Sequence, residues 1–147
     1  MFDKKNLNQA GNYRNDLTFT RNGGGVADHP ITKGRSETER INKVMTFVGQ
    51  SLKGPAGSVA ILRLPDTAID RQDLASTTPE DSAAGRAQAI ALKFGKGRVL
   101  ILGEAAMLSA QVGLGGKEKT KFGMNLPGID NRQLALNIMH WLSGLLK

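Results

Sequence analysis

The apolar positions of this chain fall in short runs, some alternating and some continuous, with one long helical stripe near the C-terminus. Residues 16–21 (DLTFTR) alternate and place Leu17 and Phe19 on one face, the pattern of a half-buried strand. Residues 44–48 (VMTFV) are rich in β-formers and predict a strand closed by Gly49. Residues 58–64 (SVAILRL) predict another, largely buried. Residues 87–94 carry Ala87, Ala89 and Ala91 on one face, with Ile90 and Leu92 supplying larger apolar bulk on the other. Gly95-Lys96-Gly97 closes a hairpin, and the apolar run 98–102 predicts the central, fully buried strand. Residues 131–146 predict the best helix, with Leu134, Ile138, Trp141, Leu142 and Leu145 forming its apolar stripe. Asp130 is its expected N-cap, with Gln133 as capping-box partner, and Lys147 suits the C-terminal end of its dipole.

Between these runs the punctuation is clear. Residues 1–16 are polar and Asn-rich and read as an irregular lead-in. Asn22-Gly23-Gly24-Gly25 is a turn; no Gly-Lys-Ser/Thr follows to make it a phosphate loop. Pro30 pushes His29 into an extended conformation, so residues 27–35 read as an ordered corner and not a helix. Ser36 and Glu39 have capping-box spacing and predict one helical turn. Residues 53–57 form a turn, 65–86 a long polar surface loop, 105–112 a short helix, and 113–128 a Gly-rich basic loop.

Composition narrows the classes. With aromatics at 5%, the core of this 147-residue single domain must be aliphatic. No Cys is present, which excludes a thiolate nucleophile and Cys-based metal sites. No apolar run reaches the roughly 18 residues of a membrane span, and the N-terminus is polar from its third residue, without a signal-peptide core. A soluble chain is expected, with no membrane insertion. The net charge of +7 is uneven: residues 1–53 hold nine Lys/Arg against five acids, 54–83 two against five, and 84–147 nine against three. The cations are scattered and lack interleaved aromatics, which argues against nucleic acid.

Two stretches resemble a known fold group. The segment VLILGEAAMLSAQ with the later GIDNRQLALNIMHWLSGLL is similar to the end of class I glutamine amidotransferase-like domains, through Gly103, Glu104, Asn131, Leu134, Asn137, Trp141 and Leu142. The nearest likeness within that group is to gliding-motility and ABC-transport accessory-like domains. Asp28-His29-Pro30-Ile31-Thr32 with Gly34 resembles a corner of trehalose-utilisation-like members. The resemblance implies an α/β three-layer domain with a mixed, mostly parallel flavodoxin-like sheet, a terminal β-hairpin and a C-terminal helix. It also implies a shortened domain that lacks the N-terminal half, whose uncovered sheet edge invites a homodimer. The nucleophilic Cys of the glutaminases is absent, so glutamine hydrolysis by that chemistry is excluded.

Few residues stand out for chemistry. Glu104, just past the end of the 98–102 strand, lies where open α/β sheets bind ligands, and His29 is one of only two His. They are candidates for an acid/base pair; the alternatives are a carboxylate that holds backbone N–H groups and a structural corner. His140 reads as packing or surface, Asn137 as a buried bridge toward the Glu104 loop, and Trp141 as core. Asp130 and Asn131, with Lys117, Lys119 and Lys121, could line an anion pocket. The His spacing gives no metal site, and no cofactor is expected. The leading expectation is a non-catalytic ligand- or protein-binding domain; a Glu104/His29 hydrolase and a polyanion-binding domain are the alternatives.

Overall fold

The computed structural model describes residues 1–71, 80–113 and 120–147. In chain order the elements are β1 (Phe2–Asp3), β2 (Asp16–Thr20), α1 (Pro30–Lys33), β3 (Lys43–Phe47), β4 (Val59–Arg63), β5 (Ala68–Asp70), β6 (Asp81–Ser82), β7 (Ala87–Phe94), β8 (Gly97–Leu102), β9 (Ala110–Gly113), β10 (Thr120–Gly123) and α2 (Asn131–Leu142). The strands form four small sheets, ordered β1-β5-β6, β2-β3, β4-β7-β8 and β9-β10.

Every pairing is antiparallel, so the expected three-layer, mostly parallel sandwich is not the fold. The physical reason lies in the connections. Parallel neighbours need a crossover of a dozen or more residues, usually a helix. Among the described residues only α2 exceeds one helical turn, and it follows the last strand. The 98–102 run is also not central. β7 holds the middle of its sheet, buried at five successive positions, while β8 is an edge strand that alternates exposed and half-buried residues.

The local expectations fare unevenly. The β7–β8 hairpin turns at Gly95-Lys96 and pairs Phe94 with Gly97 and Ala89 with Leu102. The 16–21, 44–48 and 58–64 runs form β2, β3 and β4 to within a residue or two. The 65–86 segment contains β5 and β6, with 72–79 outside the described residues. The expected helix over 105–112 is a single 3-10 turn, Ala106–Leu108, followed by β9. Residues 120–123 of the expected basic loop pair with β9 as β10, and 114–119 lie outside the described residues. Residues 30–33, expected to be non-helical, make the one-turn α1, since Pro at a first helical position has its φ already set.

Helix α2 ends at Leu142 and not 146, and Leu142 and Leu145 are exposed. Its inner face is instead Asn131, Leu134, Asn137, Ile138 and Trp141. This face packs into an aliphatic core with Ile31, Ile41, Val44, Ile61, Leu62 and Met107. Ala89 and Ala91 of β7 join the same core. The last carbonyls of α2 are met by the amides of Ser143, Gly144, Leu145 and Leu146, and Trp141 O also by β8. Arg98 Nη1 donates to Trp141 O at 2.5 Å and to Leu146 O, with its guanidinium 5.4 Å from the Trp141 ring centre.

Asn137 is fully buried and does not reach the Glu104 loop. Its Nδ2 donates to Ile31 O and Glu39 O, both at 2.8 Å, and its Oδ1 accepts from Gln133 Nε2 at 2.9 Å. Gln133 is thereby taken from the capping role expected of it. Replacing Asn137 with Leu, of similar bulk, leaves two carbonyls without their donor. The variant is expected to lose about 2–4 kcal/mol, read as a lower urea midpoint at unchanged m-value; an unchanged midpoint contradicts this assignment.

Candidate functional site

Glu104, Asp130 and Asn131 converge on one feature, the outer edge of β3. Arg21 N–H donates to Asn42 O and Val48 N–H to Asn15 O, so even-numbered residues here face β2. The backbone groups of Lys43, Met45 and Phe47 therefore point away from it. Side chains occupy that edge. Asp130 Oδ2 accepts from Asn42 N–H at 2.7 Å and Lys43 N–H at 2.9 Å, and Asp130 N–H donates to Lys43 O at 2.7 Å. Asn131 Oδ1 accepts from Met45 N–H at 3.0 Å, while its Nδ2 donates to Met45 O at 2.7 Å and Met107 O at 3.2 Å. Glu104 Oε1 accepts from Phe47 N–H at 3.3 Å and Met107 N–H at 3.0 Å.

Asp130 precedes α2 as expected, yet its side chain makes no cap hydrogen bond to that helix. It serves a strand more than 80 residues away instead. Lys117 and Lys119, expected to complete an anion pocket with these residues, lie outside the described residues. Lys121 is exposed on β10.

Glu104 is brought to its place by a close approach of two segments. Gln50 N–H donates to Gly103 O at 2.9 Å, and a Cβ on Gly103 would overlap the Gln50 carbonyl oxygen. A Cβ on Gly49 would sit 2.8 Å from Glu104 Cβ, so both glycines are steric requirements. Val48, just before Gly49, holds a left-handed φ of 56°, a costly conformation for a β-branched residue. Burial raises the Glu104 pKa above its ordinary 4.5, opposed by the backbone N–H groups of Met107, Phe47 and Ala106. Beneath this corner Gln88 is fully buried; its Oε1 accepts from Thr46 Oγ1 at 2.7 Å and its Nε2 has no partner among the described residues.

His29 belongs to a different place. It caps α1: Nδ1 accepts from Ile31 N–H at 3.2 Å, and His29 N–H donates to Thr32 Oγ1 at 3.1 Å. Because Nδ1 is an acceptor, the proton of the neutral ring sits on Nε2. The ring lies edge-on to Trp141 at 5.2 Å between centres. Burial first, and the Arg98 charge second, hold its pKa below the ordinary 6.5. His29 lines a cleft of about 290 Å³ with Trp141, Lys93, Leu92, Val59 and Gly57. Glu104 is absent from that cleft and shares no hydrogen-bonding residue with His29.

The spacing 87, 89, 91 on the inner face of β7 continues to Lys93, so alternation alone carried a signal for this cleft residue. The stacking of Arg98 on Trp141 carried no such signal. A larger cleft, about 580 Å³, opens at Phe2, Lys4, Tyr13 and Arg71. Both of its cations are already held by Glu80, Lys4 at 3.0 Å and Arg71 at 2.5 Å. Among the described residues no group of three His, Asp or Glu could hold a metal ion, and no helix is long and apolar enough to cross a membrane.

Comparison of the chain with known protein families, with curated proteins and with solved structures finds no match. The resemblance to amidotransferase-like domains therefore stands on the quoted motifs alone.

The geometry gives Glu104 a bonding role separable from its charge. Glu104→Ala leaves the Phe47 and Met107 N–H groups without an acceptor and is expected to cost about 2–3 kcal/mol. Glu104→Gln keeps an acceptor oxygen and should stay within about 1 kcal/mol of wild type. The pH dependence has a definite sign. A carboxyl with a raised folded pKa contributes stability that is present below 4.5 and lost as pH rises through the folded value. Glu104→Gln should therefore gain on wild type as pH rises from about 4 to 7. Denaturation curves at several pH values check this; equal losses in the two variants would contradict it.

Proposed function

We propose that this chain is a non-catalytic binding domain that works by strand pairing at the edge of β8, with a second copy of itself as partner. The observation that carries the reading is the state of that edge. Gly103 N–H donates to Gln88 O at 2.8 Å, which makes Gln88–Gly103 a hydrogen-bonded pair. By alternation Ile101 and Val99 face β7 with their backbone groups, and Arg98, Leu100 and Leu102 turn theirs outward. Among the described residues nothing bonds to them.

Edge strands are commonly guarded by charges, Pro or bulges. β8 has one charge, Arg98, and that guanidinium is folded back onto Trp141 O and Leu146 O. Val99 and Ile101 stand exposed on the sheet face, at 37% and 41%. The strand is self-complementary. An antiparallel pair centred on Leu100 sets Leu100 against the partner's Leu100 and Arg98 against the partner's Leu102. No like charges then oppose each other, and Val99 lies beside the partner's Ile101.

Two further readings receive less support. An acid/base pair needs Glu104 and His29 around one substrate, yet each is engaged by backbone N–H groups in a separate place. Polyanion binding draws on clustered free cations, and among the described cations of residues 1–50 the carboxylates hold Lys4, Arg14, Arg21, Lys33, Arg35 and Arg40, which leaves Lys5 and Lys43.

Light scattering after size exclusion, taken up to about 1 mM chain, tests the proposal. The expected mass rises from 15.7 kDa toward twice that value, and Ile101→Lys, at an exposed position, stays at 15.7 kDa with an unchanged far-ultraviolet spectrum. A wild-type chain that remains monomeric throughout overturns it.

A further inference from the structure

The cleft at His29 has a composition that selects a ligand class, independently of the β8 edge. Its walls are apolar: Val59, Ala91 and Trp141. Two polar side chains line it, and both are donors. His29 is locked as the Nε2–H tautomer by the Ile31 N–H···Nδ1 bond, and no acceptor for Nε2 exists among the described residues. Lys93 brings an ammonium with no carboxylate within ion-pair distance among those residues. Lys93 stands directly opposite Arg98 across the hairpin, but Arg98 is drawn away to the end of α2 and Trp141. Lys93 is the one cation that lines the cleft. No acidic side chain lines the cleft, and its volume of about 290 Å³ lies at the small end for organic ligands.

We propose that this cleft binds a small monocarboxylate with a compact apolar body, one carboxylate oxygen accepting from His29 Nε2–H and the other facing the Lys93 ammonium. The apolar body lies against Val59, Ala91 and the Trp141 ring. One neutral donor and one cation match a single negative charge. A dianion such as a phosphate monoester would bring a second charge with no second cation lining the cleft to meet it. Because His29 donates without being charged, it recognises the carboxylate at neutral pH.

Trp141 is the only tryptophan in the chain, so its fluorescence comes from a residue that lines this cleft. The test titrates wild type with hexanoate, benzoate and phenylacetate, and with benzamide and inorganic phosphate as controls. The Gly57 amide resonance is followed in parallel. The proposal expects a saturable change in Trp141 emission and a Gly57 shift with a carboxylate, and binding of benzamide and phosphate at least about tenfold weaker. Lys93→Ala removes the charge, and His29→Asn keeps an N-cap oxygen for Ile31 N–H while deleting the ring donor. Each is expected to weaken carboxylate binding about fivefold or more. Should His29→Asn fail to fold, Lys93→Ala at its exposed position decides alone. No saturation by any carboxylate up to about 10 mM, equal binding of benzamide or phosphate, or wild-type affinity in Lys93→Ala overturns the assignment.

Discussion

The outer edge of β3 would be a row of exposed donors and acceptors if left to itself, and the fold meets it with three side chains instead of a strand. Asp130, Asn131 and Glu104 take Lys43, Met45 and Phe47 in register, each satisfying the N–H of alternate residues. Two of the three sit at the start of α2, so the same contacts fix that helix over the core. The third is tied to the Met107 turn, to which Asn131 also bonds. Sheet edge, helix and turn are thus one hydrogen-bonded unit, and loss of any member leaves partly buried backbone groups unsatisfied.

That arrangement changes what Glu104 and His29 mean. A carboxylate at the end of a strand and a histidine before a proline look like chemistry in isolation. In the fold both are acceptors for backbone N–H groups, and the two do not share a cleft. Among the described residues the β8 edge has unpaired backbone groups and two exposed aliphatic side chains. The cleft beside it carries one cation and one neutral donor over an apolar wall.

Local elements were legible in the sequence and their long-range pairing was not. The Gly-Lys-Gly hairpin and the α2 stripe through Leu134, Ile138 and Trp141 follow from alternation and helical spacing. The run 98–102 was misread as central because a continuous apolar stretch looks alike in a buried strand and in an edge strand with one face under a helix. Strands of two to four residues such as β5, β6, β9 and β10 exist through their partners, and carry no period of their own. Asp130 and Asn131 were legible as a helix start, but their partners on β3 are more than 80 residues away, beyond any spacing rule. The position of Glu104 was legible from Gly103-Glu104 after an apolar run, while its role depended on where Phe47 came to lie.

Native-state hydrogen exchange of the β3 amides tests the side-chain edge most directly. If Asp130, Asn131 and Glu104 replace a neighbouring strand, the amides of Lys43, Met45 and Phe47 exchange as slowly as those of Val44 and Thr46, which face β2. Fast exchange at 43, 45 and 47 beside slow exchange at 44 and 46 would show an open edge and contradict the account.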